Sequence, residues 1–290
     1  MLALITCHFN FIGYNRPRQN LSRFVLQMRS FGYPLYGVEA FLPGQVPFTR
    51  GWKDWKQIMI GKDQIMFQKE SLLNVAETLV PRVYDKIAWV DADIWFQNLE
   101  WFAMTEKLLE NYRVLQMFER CHFCSLDGRP FKRLPSFMED YPSGKRSHPV
   151  RSHGIAWAAQ RGLWTHCGGL YTHAIVGGGD KFMAGAFVGN TGIPLAVAIG
   201  VNLGVYQQWQ QRVSTWVDQK YSFVPGDVFH EWHGTRANRA YVKRFELTQN
   251  ADLARITAKA DNQLLKWTEE APRDLRLGVH KYFMDRREDG

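Results

Sequence analysis

The chain has 290 residues, enough to bury a full-sized core, and 46% of them are hydrophobic against 22% charged. That balance excludes an intrinsically disordered chain, and four cysteines in this length exclude a disulfide-built scaffold. A formal charge of +8 favours anionic partners such as nucleotide phosphates, nucleic acid or acidic glycans.

No apolar run reaches the roughly 18 residues that span a bilayer. The opening Met1-Leu2-Ala3-Leu4-Ile5-Thr6 lacks a basic leader and runs into His8 and Asn10. It reads as a first strand over residues 2–7, and a cytoplasmic protein with no membrane partner is expected. Residues 20–30 carry helical spacing through Leu21, Phe24, Val25 and Met28, and 35–41 read as a second strand. The stretch 43–63, rich in Gly and Pro and with exposed-looking Trp52 and Trp55, reads as a long loop. An amphipathic helix over 66–80 stops at Pro81, and a strand over 86–90 follows.

That strand delivers Asp91-Ala92-Asp93 at its carboxyl end, where open α/β sheets bind ligands. Two carboxylates between buried-strand residues are costly to desolvate without a cation. Mg²⁺ and Mn²⁺ commonly use one or two protein carboxylates plus substrate phosphate oxygens. The motif therefore points to a divalent cation on a diphosphate, where it acts as a Lewis acid on the leaving group.

Further along, 113–118 read as a strand and 120–153 as the least regular segment. Residues 154–167 and 180–187 read as helical, 202–219 as a long helix, and 229–233 as a short strand or turn with two histidines. The remainder reads as helical. Strands alternating with helices in the first half predict a largely parallel sheet. Cys121-His122-Phe123-Cys124 invites a zinc reading, but a single Cys-x-x-Cys without a second pair reads as plain thiols.

At this point the sequence resembles a known family. Phe67-Gln68-Lys69-Glu70-Ser71-Leu72-Leu73-Asn74-Val75 is similar to the Phe-Asn-Arg-Ala-x-Leu-Leu-Asn-Val segment of the β-1,4-galactosyltransferase-like GT-A glycosyltransferases. Residues 154–158 to 168–171 resemble their acceptor-side region, Gly177-Gly178-Gly179-Asp180 their Gly-rich acidic motif, and His230-Glu231-Trp232-His233 their Met-x-x-His metal pair, followed by Asn238 and Arg239. The islands keep the family's order over residues 2–245.

The resemblance implies an α/β, GT-A (Rossmann-like) nucleotide-sugar-binding fold with a mostly parallel central sheet over residues 1–245, and a helical extension, 246–290, packed on it. It implies a metal site of Asp93, His230, His233 and Asp91, with Asp91 also near the ribose. Donor contacts would come from His8, Phe9, Asn10, Lys69, Asp91 and Ala92, and the general base would be Asp180. Lys69 replaces the family's Arg, so it would meet the diphosphate as a point charge. Two departures stand out: the family's acidic cluster is reduced to one Asp, and its Met ligand is a His, which favours Mn²⁺ over Mg²⁺. A UDP-sugar is the expected donor.

The basic balance and the aromatic loop point to an acceptor. Arg120, Lys132, Arg133, Lys145 and Arg146, interleaved with Phe123, Phe131, Phe137 and Tyr141, suit phosphate tracking and base stacking, with Trp157 added on the acceptor side. The expected substrate is a hydroxymethylated pyrimidine in DNA, as for bacteriophage DNA-modifying transferases, by an inverting transfer. Alternatives are a cytoplasmic transferase acting on a bacterial surface glycan, a lipid-linked sugar or a protein, and a non-catalytic nucleotide-sugar-binding protein.

Overall fold

A computed structural model describes residues 1–141, 150–190, 203–235, 237–241 and 243–290. In chain order the elements are β1 (Leu2–Phe9), α1 (Asn15–Ser30), β2 (Leu35–Phe41), β3 (Trp55–Met59), α2 (Lys69–Leu79), β4 (Lys86–Val90), β5 (Ile94–Phe96), α3 (Trp101–Leu108) and β6 (Val114–Gln116). There follow β7 (Arg120–Cys124), β8 (Pro130–Pro135), α4 (Phe137–Asp140), β9 (Ala156–Gln160), α5 (Gly162–Cys167), α6 (Gly179–Phe187) and α7 (Leu203–Val217). The chain ends through β10 (Tyr221–Phe223), β11 (Asp227–His230), α8 (Leu253–Ile256), β12 (Thr257–Lys259), β13 (Leu265–Trp267) and α9 (Arg273–Asp285).

The central sheet has the order β10-β6-β9-β4-β1-β2-β3. β9 is antiparallel to both its neighbours, and the other pairs are parallel. The fold is thus mixed α/β around a mostly parallel sheet, as the strand–helix alternation predicts. Both faces of that sheet are covered. In β1, Ala3 and Ile5 point to one apolar layer and Leu2 and Leu4 to the other. In β4, Ile87 and Trp89 oppose Ala88 and Val90 in the same way. Strands buried on two faces are continuous apolar runs, which is why these were readable.

Several expectations are corrected. Residues 55–59 form edge strand β3, parallel to β2, and Trp55 is buried rather than exposed. Its ring lies over Gly37, where an added Cβ would come within 2.4 Å of it. Residues 120–135 form a two-stranded antiparallel unit, and 156–160 form a strand instead of the start of a helix. The C-terminal segment 246–290 is not wholly helical, since β12 and β13 pair as a hairpin. It packs into the main core through Leu265, Trp267, Val279 and Phe283, and the Gln68 side chain bonds both backbone groups of Leu265. No described helix is long and apolar enough to cross a membrane.

Two devices set α2 in place behind the site. Arg161, at the start of α5, donates to the Glu77 carboxylate and to the carbonyls of Glu77 and of the cap residue Val80 at the open end of the helix, and to those of Pro81 and Tyr84 in the turn beyond it. At its other end Lys69 and Glu70 open the helix toward the carboxyl ends of β1 and β4. A second sheet, β5-β11-β7-β8, closes the opposite wall.

Candidate active site

A cavity of about 390 Å³ opens at the carboxyl ends of β1 and β4. Its metal corner follows from strand register. After β4 the chain turns through Asp91 and Ala92 into β5, whose Ile94 pairs with His230 of β11. The Glu231 amide then donates to the Asp93 carbonyl at 2.7 Å. This brings His230 Nε2 to 3.6 Å from Asp93 Oδ1, and His233 Nδ1 to 3.1 Å from Asp93 Oδ2. One ligand atom from each of the three lies within 4.8 Å of the others.

The chemistry of this set fits a divalent cation. Burial, set against the pull of Asp93, holds His230 below the usual imidazole range, so its ring is neutral and can offer a lone pair. Asp93 Oδ1 is buried without a hydrogen-bond partner. Two imidazoles and one carboxylate leave coordination positions for substrate oxygens. Cys121 and Cys124 are buried free thiols, and no metal-ligating group of the described residues contains them. Between them, His122 bonds Asp227 at 2.6 Å.

Asp91 stands apart from this triad. Its Oδ1 is 2.6 Å from Lys69 Nζ, which also lies 3.2 Å from Asp180 Oδ1. Lys69, expected at the diphosphate, lines the cavity, and its ammonium faces these two carboxylates. Burial alone would lower Lys69, but Asp180, Asp91 and Glu70 hold it well above its ordinary value, so it stays charged. Burial pushes Asp91 up to about 6 against the pull of Lys69, with Asp180 and Asp93 adding to the rise.

Asp180 sits in the first turn of α6, not at its cap. The cap is Gly178, with φ of 92°, and Gly177 before it has φ of 84°; L side chains rarely adopt either. The glycines let the chain turn sharply enough to aim Asp180 into the cavity. Gly154 matters for a different reason, since a Cβ there would lie 2.4 Å from Asp180 Oδ2.

Of the remaining expected contacts, His8, Phe9 and Ala92 line the cavity. Burial pushes His8 down to about 4, so it faces the cavity as a neutral ring. Asn10 does not line it; its side chain is consumed by Gly13 and Tyr14 in the turn before α1. Trp157 is a second correction, being wholly buried in β9 with its Nε1 donating to the His153 carbonyl at 2.8 Å. Arg120 pairs with Glu119, and Lys132 and Arg133 lie on the edge strand β8. None of these three touches the cavity, although Phe123 and Leu134 of the same strands do. Lys145 and Arg146 lie outside the described residues.

Sequence reasoning missed Glu70, Arg286 and Glu288. Glu70 sits behind Asp180, almost wholly buried, where a Cβ on Gly179 would come within 2.1 Å of its Oε1. Burial and the neighbouring Asp180 push it up to about 8. Its only sequence signal is a carboxylate beside Lys69. Arg286 and Glu288 reach the cavity from the far end of the chain, too distant in sequence for any local pattern.

No protein-family model matches the chain, and no curated protein matches its sequence. Among solved structures, it is similar to a Drosophila β1,4-galactosyltransferase 7 mutant in complex with manganese, UDP-Gal and xylobiose, at 12% identity over 96% of this chain and 98% of that one, with a TM-score of 0.41. A mannosyltransferase from Pyrobaculum calidifontis in complex with GDP-Man and Mn²⁺ is similar at 12% identity over 98% and 69%, with a TM-score of 0.43. The galactosyltransferase LgtC, in complex with donor and acceptor sugar analogues, aligns at 8% identity over 98% and 95%, with a TM-score of 0.31.

Proposed function

We propose that the chain is a metal-dependent glycosyltransferase that moves a sugar from a nucleotide-sugar to an acceptor hydroxyl. One observation carries this reading: the Asp93–His230–His233 triad shares a single cavity with Asp180, a carboxylate tied down by Lys69. When bound, Mn²⁺ or Mg²⁺ supplies Lewis-acid stabilisation of the leaving diphosphate. Asp93, His230 and His233 would hold it there. Asp180 takes the proton from the acceptor hydroxyl, and Lys69 fixes its direction by bridging it to Asp91. A base acting from the face opposite the leaving group gives inversion. His8 and Phe9, on the β1 side of the cavity, suit the nucleoside, with UDP the favoured carrier.

The finer proposal is an acceptor in DNA, a hydroxymethylated pyrimidine flipped from the duplex to reach the cavity. It is supported by Arg120, Lys132 and Arg133, which lie on the same strands as the cavity-lining Phe123 and Leu134.

The test is mass spectrometry of hydroxymethylated DNA and of oligosaccharides after incubation with a panel of nucleotide-sugars and Mn²⁺. Wild type should add one hexose or pentose mass to an acceptor. Asp180→Asn keeps the shape but removes the proton acceptor, so kcat should fall about 100-fold or more with donor affinity little changed. An unchanged kcat would remove Asp180 as the base. Absence of both transfer and donor hydrolysis with every donor would contradict an enzyme.

A further inference from the structure

The part of the cavity formed by the last third of the chain has a charge balance that the proposed donor does not explain. Arg239, Arg244 and Arg286 all reach it, and Arg244 and Arg286 are each only 8% exposed. Among the described residues, one carboxylate answers them: Glu288 Oε1 lies 3.3 Å from Arg239 Nη1 and also pairs with Arg286. Three guanidiniums less one carboxylate leave two positive charges. Arg244 instead donates to a neutral group, the Tyr282 hydroxyl, at 3.1 Å. All three arginines keep a buried Nε without a hydrogen-bond partner. Buried charge is strongly disfavoured unless paired and hydrogen-bonded, so the arrangement is unfinished without an anion.

Neighbouring groups report the same excess. Burial would raise the Tyr282 hydroxyl, yet Arg286, Arg244 and Arg239 together bring it below its ordinary value. Burial, with Arg244 adding, pushes the Lys181 ammonium of α6 down.

The position identifies the side of the cavity served. Arg244 lies against the two glycines that precede α6, its Nη1 3.1 Å from where a Cβ on Gly177 would stand. That turn presents Asp180, the proposed base. The diphosphate is already provided for at the triad.

We propose that Arg239, Arg244 and Arg286 form a second anion site that takes a phosphoryl group carried by the acceptor, separate from the diphosphate at Asp93, His230 and His233. The forked guanidinium matches phosphate geometry, and two uncompensated charges match a phosphate dianion. Without a ligand, Glu288 bridges two of the three arginines. The assignment to the acceptor rests on the glycosyltransferase reading; the anion site itself does not.

Equilibrium dialysis of labelled inorganic phosphate with the full chain tests it, first without metal or nucleotide and then with saturating UDP and a slight excess of Mn²⁺. Phosphate should bind in both conditions with affinities within about threefold of each other. Arg244→Gln and Arg286→Gln should each weaken phosphate at least tenfold and leave UDP–Mn²⁺ affinity within about twofold. If either variant fails to fold, as judged by circular dichroism, Arg286→Lys and the wild-type competition still decide the matter. A hexose phosphate or a short single-stranded oligonucleotide should displace phosphate, and whichever succeeds names the carrier. No phosphate binding, displacement of phosphate by UDP, or failure of both competitors would overturn the proposal. UDP failing to bind in Mn²⁺ while phosphate does would contradict the donor reading and leave the anion site standing.

Discussion

Glu70 carries the sharpest consequence at the scale of single residues. It is neutral in the folded chain up to about pH 8, whereas an ordinary glutamate releases its proton near 4.5. A raised carboxyl contributes stability that is present below the unfolded value and is lost as pH rises toward the folded one. The window is therefore pH 4.5 to 8, and above it the full penalty of a buried carboxylate beside Asp180 remains. Glu70→Gln removes the titration, so its melting temperature relative to wild type should rise between pH 5 and pH 9, by about 2 °C or more. An identical difference at both pH values would contradict the assignment. Asp93, His230 and His233, which the structure brings together, could be named from the sequence because a strand end marks the Asp and the family resemblance marks the two His. Asn10 and Trp157 were misread because their fates depend on partners: a turn closing on Tyr14, and a strand buried on both faces.

Single elements show what local pattern cannot say. Ala156-Trp157-Ala158-Ala159 has a helix-forming composition, yet it lies as β9 between β4 and β6, bonded on both edges. Pairing overrides propensity there, and the small alanines let the two apolar layers close over the strand. Helix α1 is another case. None of its own neighbours caps it with a side chain. Its first amides are taken by Asp289, whose carboxylate accepts from Asn15 at 3.0 Å and Arg16 at 2.7 Å. A cap supplied from the other end of the chain has no signature near the helix. Asp289→Ala should cost about 1 kcal/mol in denaturant unfolding, the ordinary worth of an N-cap. A loss below about 0.3 kcal/mol would show the contact to be incidental.

For the whole molecule, the strand–helix alternation and the apolar runs made the α/β class readable, while the β12–β13 hairpin and the return of the C-terminus to the cavity were not. The charge of +8 also belongs to this scale. If DNA is the acceptor, duplex binding must release counterions, with a log–log salt slope of about −0.9 per phosphate contacted. Neutralising Lys132 and Arg133 together should flatten that slope for all sequences without changing donor hydrolysis. A flat titration in wild type would instead favour a glycan, lipid-linked sugar or protein acceptor.

The central claim is a cation held by Asp93, His230 and His233 on a nucleotide diphosphate. Calorimetric titration of UDP into the protein with Mn²⁺, with EDTA, and with Mn²⁺ in Asp93→Ala tests it most directly. Mn²⁺-dependent UDP binding in wild type, weakened at least about tenfold in both other conditions while Asp93→Ala remains folded, is the predicted result. UDP affinity unchanged by EDTA, or retained in Asp93→Ala, would contradict it.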